Sequence, residues 1–144
     1  MGKLVQRLSD AARSGVYRTR QSAEVEDAVR GTRLDLAHAD LGGADSKEAL
    51  LERLALALGF PAWFGGNWDA LEDCLGDLGW RAGDGHVFLF TGHEDLPADD
   101  LGVLLDVLAS SAAYWAERGR PFFAVFVDAK HALALPELFR PKSA

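Results

Sequence analysis

A nearly all-apolar segment near the end of the chain constrains the fold more than any other feature. Residues 122–127 read Phe-Phe-Ala-Val-Phe-Val, without the polar alternation of a strand that has one side in water. Such a run is typical of a central strand that is buried on both faces of a parallel sheet. A helical pattern from about residue 98 to residue 118 precedes it, and this would supply the crossover that parallel strands need. The sequence therefore favours an α/β fold.

The rest of the chain alternates between strand-like and helix-like patterns. Strands are predicted at residues 32–38, 86–91 and 122–127, and helices at residues 4–12, 22–30, 46–58, 67–78 and 98–118. The predicted N-caps of three helices are Ser22, Asp45 or Ser46, and Asn67. Because strands that alternate with helices usually pair in parallel, we predict a small three-stranded parallel sheet packed with about four helices.

On this pattern the chain of 144 residues divides into an N-terminal helical extension (1–30), a main domain (31–129) and a C-terminal tail (130–144) with at most one turn of structure. The single cysteine, Cys74, excludes an internal disulfide framework and a multi-cysteine zinc site. No apolar run approaches the roughly 20 residues that cross a membrane, and the N-terminal segment is too polar for a signal peptide. We therefore expect a cytoplasmic protein without membrane contact.

The charge of the chain is concentrated in its middle. The net charge is −7, and residues 66–106 contain ten acidic side chains but only one basic side chain, Arg81. Such a segment would repel the phosphates of nucleic acid, so we expect no direct nucleic-acid binding. An acidic surface attracts a basic partner and speeds its approach, although it also serves plain solubility.

The predicted helix at residues 67–78 has one apolar face and one acidic face. Its apolar positions are Leu71, Cys74, Leu75 and Leu78. The opposite face carries Asp69, Glu72, Asp73 and Gly76. Like charges one turn apart repel one another, and no Lys or Arg within the helix neutralises them. Folding alone does not require this arrangement, whereas a surface that meets cations does.

Aromatic residues and glycines flank the acidic face. Trp63 and Phe64 precede the helix, Trp68 lies in its first turn, and Gly65 and Gly66 make the intervening turn. Together with the cap residue Asn67, they are candidate partner-binding residues. Large aromatic side chains beside charges that lose water are typical of the centre of a protein interface. The same residues also have structural uses, since Trp68 can pack in the core and the glycines can simply form the turn.

The segment Phe60-Pro-Ala-Trp-Phe-Gly-Gly-Asn-Trp-Asp-Ala-Leu-Glu-Asp-Cys-Leu75 closely resembles the motif of the barstar family, whose members inhibit a secreted ribonuclease. The order of predicted elements from about residue 32 to residue 128 is also similar to that family. The resemblance covers about two-thirds of the chain and implies a barstar-like α/β fold. It further implies a 1:1 inhibitor or immunity protein that is not an enzyme and needs no cofactor.

The resemblance also implies roles for particular residues. Asp73 matches the aspartate that enters the phosphate-binding pocket of the ribonuclease, Asp69 matches a second interface aspartate, and Trp63 matches an interface aromatic residue. Tyr114 stands where the family has an acidic contact on its long helix. The implied partner is a basic secreted ribonuclease or a related nuclease toxin, and we expect the free inhibitor to be a monomer.

Two other interpretations remain open on the sequence alone. Asp69, Asp73 and Asp77 recur at every fourth position, which would suit an enzyme or a metal-binding protein, because hard cations prefer such oxygen ligands. Alternatively, the protein is an immunity or scaffold protein whose partner is not a ribonuclease, an interpretation that Tyr114 supports.

Overall fold

The computed structural model describes residues 2–139, so Met1 and residues 140–144 of the predicted tail lie outside the described residues. Its four strands form one parallel sheet in the order β1-β4-β3-β2. The strands are β1 (Gly15–Thr19), β2 (Leu34–Asp40), β3 (Gly85–Thr91) and β4 (Phe122–Val127). The α-helices are α1 (Lys3–Leu8), α2 (Ser22–Val29), α3 (Lys47–Leu58), α4 (Trp68–Asp77) and α5 (Ala98–Glu117). Short 3₁₀ helices cover Ala11–Arg13 and His93–Asp95.

The prediction of a three-stranded sheet was wrong, because β1 adds a fourth strand. It pairs with β4 from Gly15 opposite Phe123 to Thr19 opposite Val127. The five residues of β1 show no clear periodicity, and their conformation depends on pairing with a strand more than 100 residues later in the chain. Strand formation of this kind is decided by the neighbours in the sheet rather than by local propensity. The predicted N-terminal helical extension thus also contributes a strand to the sheet.

The central strands β3 and β4 are buried on both faces, as the apolar run in β4 predicted. One face packs against α3, α4 and α5 and contains the larger cluster, which includes Phe88, Phe90 and Phe126. The other face packs against α1 and α2 through a smaller cluster that includes Leu8 and Val25. The result is a three-layer arrangement with helices on both sides of the sheet.

The segment after β4 runs along the outer edge of β1. The backbone N–H of Arg18 donates to the carbonyl of Pro136, and the N–H of Leu138 donates to the carbonyl of Arg18, both over 2.9 Å. An ion pair between Arg18 and Glu137 lies beside these bonds. The Leu138 side chain completes the smaller cluster, where it is only 1% exposed. This segment therefore covers a sheet edge that would otherwise present unpaired backbone groups.

Two of the predicted N-caps are confirmed. The Ser46 hydroxyl accepts from the N–H of Ala49 at the start of α3, and the Asn67 side chain accepts from the N–H of Ala70 at the start of α4. Ser22 was a wrong prediction, since it is the first residue of α2 and Gln21 occupies the cap position without a side-chain bond. No helix in the part of the chain from residue 2 to residue 139 is long and apolar enough to cross a bilayer.

Candidate functional site

The acidic face of α4 points into solvent. Asp69, Glu72 and Asp73 are all exposed, while Leu71 and Cys74 on the opposite face are fully buried. None of the three acidic side chains forms an ion pair or a hydrogen bond with the rest of the described chain. In the free protein these carboxylates are therefore balanced only by water and by mobile ions, with partial help from the helix dipole near Asp69.

The burial of Cys74 keeps it in its neutral form. Burial, with smaller contributions from the nearby charges of Asp73 and Asp77, raises the pKa of the Cys74 thiol to about 11. A thiol reacts as a nucleophile through its thiolate form, so Cys74 packs as a small apolar side chain beneath the acidic face.

A groove of about 340 Å³ separates the acidic face of α4 from α5. It is lined by Glu72, Asp73, Gly76, Asp77, Ser110, Ser111 and Tyr114. The two helices are held together by Trp115, whose indole N–H donates to the carbonyl of Leu75 over 2.7 Å. Since Gly76 has no side chain, the floor of the groove remains open, and a methyl group at that position would meet no other atom within 4 Å.

The α5 wall of the groove ends in a stacked pair of side chains. The guanidinium of Arg118 lies 3.5 Å from the centre of the Tyr114 ring, and it also donates to the carbonyl of Tyr114 over 2.8 Å. Tyr114 is partly exposed. The groove therefore has carboxylates on its α4 side and an aromatic ring with an adjacent cation on its α5 side.

The loop between α3 and α4 forms an aromatic cluster beside the acidic face. The rings of Phe60 and Phe64 lie 4.8 Å apart, and Trp80 contacts both Phe60 and Trp63 edge-on at 6.1 and 6.3 Å. Trp63 is the outermost member and is 55% exposed. Phe64 and Trp68 are partly buried against the core. Of the aromatic residues predicted for the interface, Trp63 thus offers the largest apolar surface to a partner.

The structure brings most of the predicted site residues onto one side of the molecule. Glu72, Asp73 and Gly76 line the groove together with Tyr114, whereas Asp69 is exposed in the first turn of α4 and is not part of that lining. Gly66 has a φ of 72°, a left-handed conformation that favours glycine. Five further residues line or support the site, and sequence reasoning did not assign them to it. They are Asp77, Trp80, Ser110, Ser111 and Arg118.

A buried charged network lies beneath the aromatic loop, at the amino-terminal end of the sheet. Arg81 donates two hydrogen bonds to the carboxylate of Asp35, from Nε–H to Oδ2 over 2.7 Å and from Nη2–H to Oδ1 over 3.0 Å. The Nδ1 atom of His86 lies 2.8 Å from the same Oδ2 atom, and His86 is 1% exposed. Sequence reasoning missed this network, because its members are 46 and 51 residues apart in the chain.

The network shifts the pKa values of two of its members. Burial lowers the pKa of His86 below its ordinary value of 6.5, with help from Arg120 and Arg81 and against the opposing effect of Asp35. The pKa of Asp35 lies below its ordinary value of 3.8. Burial alone would raise it, but the hydrogen bonds and charges of Arg81 and His86 more than offset that effect.

These shifts predict that the fold loses stability in acid. Below pH 6.5 the unfolded chain protonates His86 while the folded chain does not, so the free energy of unfolding falls as the pH drops from 6.5 towards the lower folded pKa. Asp35 adds a second loss below pH 3.8. Urea unfolding from about pH 7.5 to about pH 5 should show this decline in the wild type and a flatter profile in His86→Gln. The exposed His38 provides the control, and an equally flat profile in His38→Gln would contradict the assignment.

The alternative metal interpretation gains no support from the structure. Asp69, Asp73 and Asp77 lie on one helix, and no group of three or more potential metal ligands is found among the residues that the structure describes. A hard cation such as Ca²⁺ needs six or more oxygen ligands, usually from a folded loop.

The fold and the site define a small α/β protein with an exposed acidic face on one helix. A sequence family described as Barstar (barnase inhibitor) matches residues 34–127, and the chain belongs to the barstar family. No curated protein matches it. The match includes the aromatic loop, α4 and α5, but leaves β1, α1, α2 and the segment after β4 outside.

Among solved structures, the chain is similar to the ORC2 protein of Aeropyrum pernix, in a structure of its ADPNP–ADP complexes. The TM-score is 0.54 at 16% identity, over 85% of this chain and 37% of that one. At this identity the likeness concerns the fold alone, and the chain spans little more than a third of the ORC2 chain.

Proposed function

We propose that this protein is a cytoplasmic inhibitor or immunity protein that binds a basic ribonuclease 1:1 and blocks its active site. In this proposal the carboxylates of α4 take the place of RNA phosphates among the cationic side chains of the nuclease. The protein contributes no catalytic group. Trp63 supplies the apolar contact at the edge of the acidic face, and the free protein is a monomer.

The observation that carries the proposal is that three acids on one face of α4, Asp69, Glu72 and Asp73, have no cationic partner among residues 2–139. Each of the three is exposed, and they share one face of one helix. Carboxylates in this arrangement repel one another in the free protein, and a cationic partner relieves that repulsion. The barstar family membership agrees with this chemistry.

The test is the titration of ribonuclease activity with the purified protein. Barnase and a small panel of related basic microbial ribonucleases would be assayed at fixed concentration while the protein is added. Stoichiometric loss of activity, with a 1:1 complex in gel filtration, is the expected result. If no enzyme of the panel is inhibited or bound, the ribonuclease proposal fails.

One observation favours a second candidate, a barstar-fold immunity or scaffold protein for a partner that is not a ribonuclease. On its α5 side the groove is lined by Tyr114 rather than by a carboxylate, and the guanidinium of Arg118 stacks on the Tyr114 ring outside the lining. A cation at this place would repel a strongly basic partner and would suit a carbonyl or carboxylate group instead. Binding to a partner without ribonuclease activity, together with no inhibition across the panel, would establish this alternative.

We predict that Gly76→Ala stabilises the protein but weakens partner binding. A glycine within a helix costs roughly 0.5–1 kcal/mol relative to alanine, and the added methyl group has free space in the unbound protein. In the complex the same methyl group would fill the groove and oppose the partner, at a cost of about 1–3 kcal/mol. Unfolding curves and titration calorimetry measure the two effects.

Gly102 provides the matched control for this prediction. It lies in α5, and a methyl group there also meets nothing within 4 Å, but Gly102 is not part of the groove. Gly102→Ala should therefore stabilise the protein to a similar degree and leave binding unchanged. Equal binding by both variants and the wild type would show that the partner does not enter the groove.

A further inference from the structure

We propose that Asp35, Arg81 and His86 are positioning residues for the binding surface, which hold Trp63 in its place without touching the partner. This inference rests on the proposed function, because it assumes that Trp63 is a contact residue. Asp35 and His86 are almost fully inaccessible in the free protein, so a partner cannot reach them without disrupting the fold. Their effect on binding would have to pass through other residues.

The first connection runs from Arg81 to the aromatic loop. Besides its two hydrogen bonds to Asp35, Arg81 donates through Nη1 to the carbonyl of Leu58 over 3.1 Å. The indole N–H of its neighbour Trp80 donates to the same carbonyl over 3.0 Å. Leu58 is the last residue of α3, where the aromatic loop begins. Trp80 in turn supports the exposed ring of Trp63 edge-on, so the network fixes both the start of the loop and the ring beneath Trp63.

The second connection runs from His86 to the acidic helix. The His86 ring lies 6.1 Å from the ring of Trp115, and Arg120 lies over the same Trp115 ring at 5.8 Å. Trp115 donates to the carbonyl of Leu75 in α4. The sheet, the aromatic loop and the acidic helix therefore meet at one set of buried polar side chains.

Stability alone is a weak reason for this network. Well-packed apolar residues often stabilise a protein as much as a buried ion pair does, because two charges lose their hydration on burial. The N–H groups of a planar guanidinium point in fixed directions. In Arg81 they bind the Asp35 carboxylate in the sheet and the Leu58 carbonyl at the end of α3. Such directional contacts define the position of a loop, which apolar packing does less well.

The first test uses the free protein and needs no partner. Acrylamide quenching of Trp63 fluorescence would be compared in the wild type and in Asp35→Asn. In each case the fluorescence of the corresponding Trp63→Phe variant would be subtracted, so that only the signal of Trp63 remains. We expect the quenching of Trp63 in Asp35→Asn to rise towards that of a free indole, because Trp80 loses its fixed position. Unchanged quenching would overturn the proposal.

Asp128→Asn is the matched control. Asp128 is also a buried carboxylate, 2% exposed, and it accepts from the N–H groups of Ala132 and Leu133 over 3.0 and 2.8 Å. Neither of these hydrogen bonds reaches the aromatic loop. We expect it to leave Trp63 quenching unchanged, and an equal rise in both variants would show a general loosening of the fold rather than positioning.

The second test measures dissociation from barnase in a double-mutant cycle. Asp35→Asn should weaken binding about tenfold, the scale of one lost hydrogen bond to a charged group. In a Trp63→Ala background most of this effect should disappear, and only the part that passes from His86 to α4 should remain. Equal factors in both backgrounds would overturn the connection through Trp63. If wild type does not bind barnase, that enzyme is excluded as the partner, while the quenching result still decides the positioning role.

Arg81→Lys covers the case in which Asp35→Asn fails to fold. It keeps the positive charge beside Asp35 but cannot bind that carboxylate and the Leu58 carbonyl through one planar fork. We expect it to keep the fold and to raise Trp63 quenching. A folded Arg81→Lys protein with wild-type quenching would contradict the proposal, because charge alone would then suffice.

Discussion

Replacing Asp73 with alanine is expected to weaken the binding of a basic ribonuclease by about 2–4 kcal/mol, which is roughly a thirtyfold to a thousandfold loss of affinity. Asp73 lies at the centre of the acidic face and lines the groove towards Tyr114. In a complex its carboxylate would lose water and bind cationic side chains, and its removal would leave those cations buried without a partner. Surface plasmon resonance or inhibition kinetics would measure the change.

The effect should be specific to binding. Asp73 is exposed and lies one turn from Asp69, so its removal relieves a repulsion and should change the free energy of unfolding by no more than about 0.5 kcal/mol. Glu24→Ala is the matched control, because Glu24 is an exposed acid of α2 on the opposite side of the sheet and, like Asp73, has no ion pair among the described residues. Both variants lose one negative charge. If they weaken binding equally, the contribution of Asp73 is only long-range attraction.

Local patterns predicted the helices and the central strands of the fold. The apolar run at residues 122–127 indicated a doubly buried strand, and this was confirmed. The spacing in α4 separated its buried from its acidic face correctly, because both depend on helical periodicity within ten residues. Asn67 was recognised as an N-cap for the same reason, since the bond joins residues three positions apart.

Features that depend on distant contacts could not be predicted in this way. The strand β1 was left out of the predicted sheet, because its five residues join the sheet only by pairing with β4. The groove requires the relative position of α4 and α5, which a bond from Trp115 to a residue 40 positions earlier helps to fix. Gly76 illustrates the difference. The sequence placed it on the acidic face, but only the packing of the two helices shows that the missing side chain leaves a groove open.

The family match ends at Val127, but the chain beyond this residue packs Leu138 into the smaller core cluster. Leu138→Ala is expected to lower the free energy of unfolding by about 2–5 kcal/mol, the usual cost of removing a buried leucine side chain. Leu138 fills the smaller core cluster between the sheet and α1 and α2. A loss of this size is a large part of the total stability of a small domain.

Leu56→Ala provides the control with the same chemical change. Leu56 lies on α3 and is 75% exposed, so its truncation should change stability by less than about 0.5 kcal/mol. Urea unfolding of both variants distinguishes two possibilities for residues 128–139. A large loss in Leu138→Ala alone means that the segment after β4 and the N-terminal helices form one cooperative core with the sheet. Small losses in both variants mean that the contacts of Leu138 add little to the stability of the sheet.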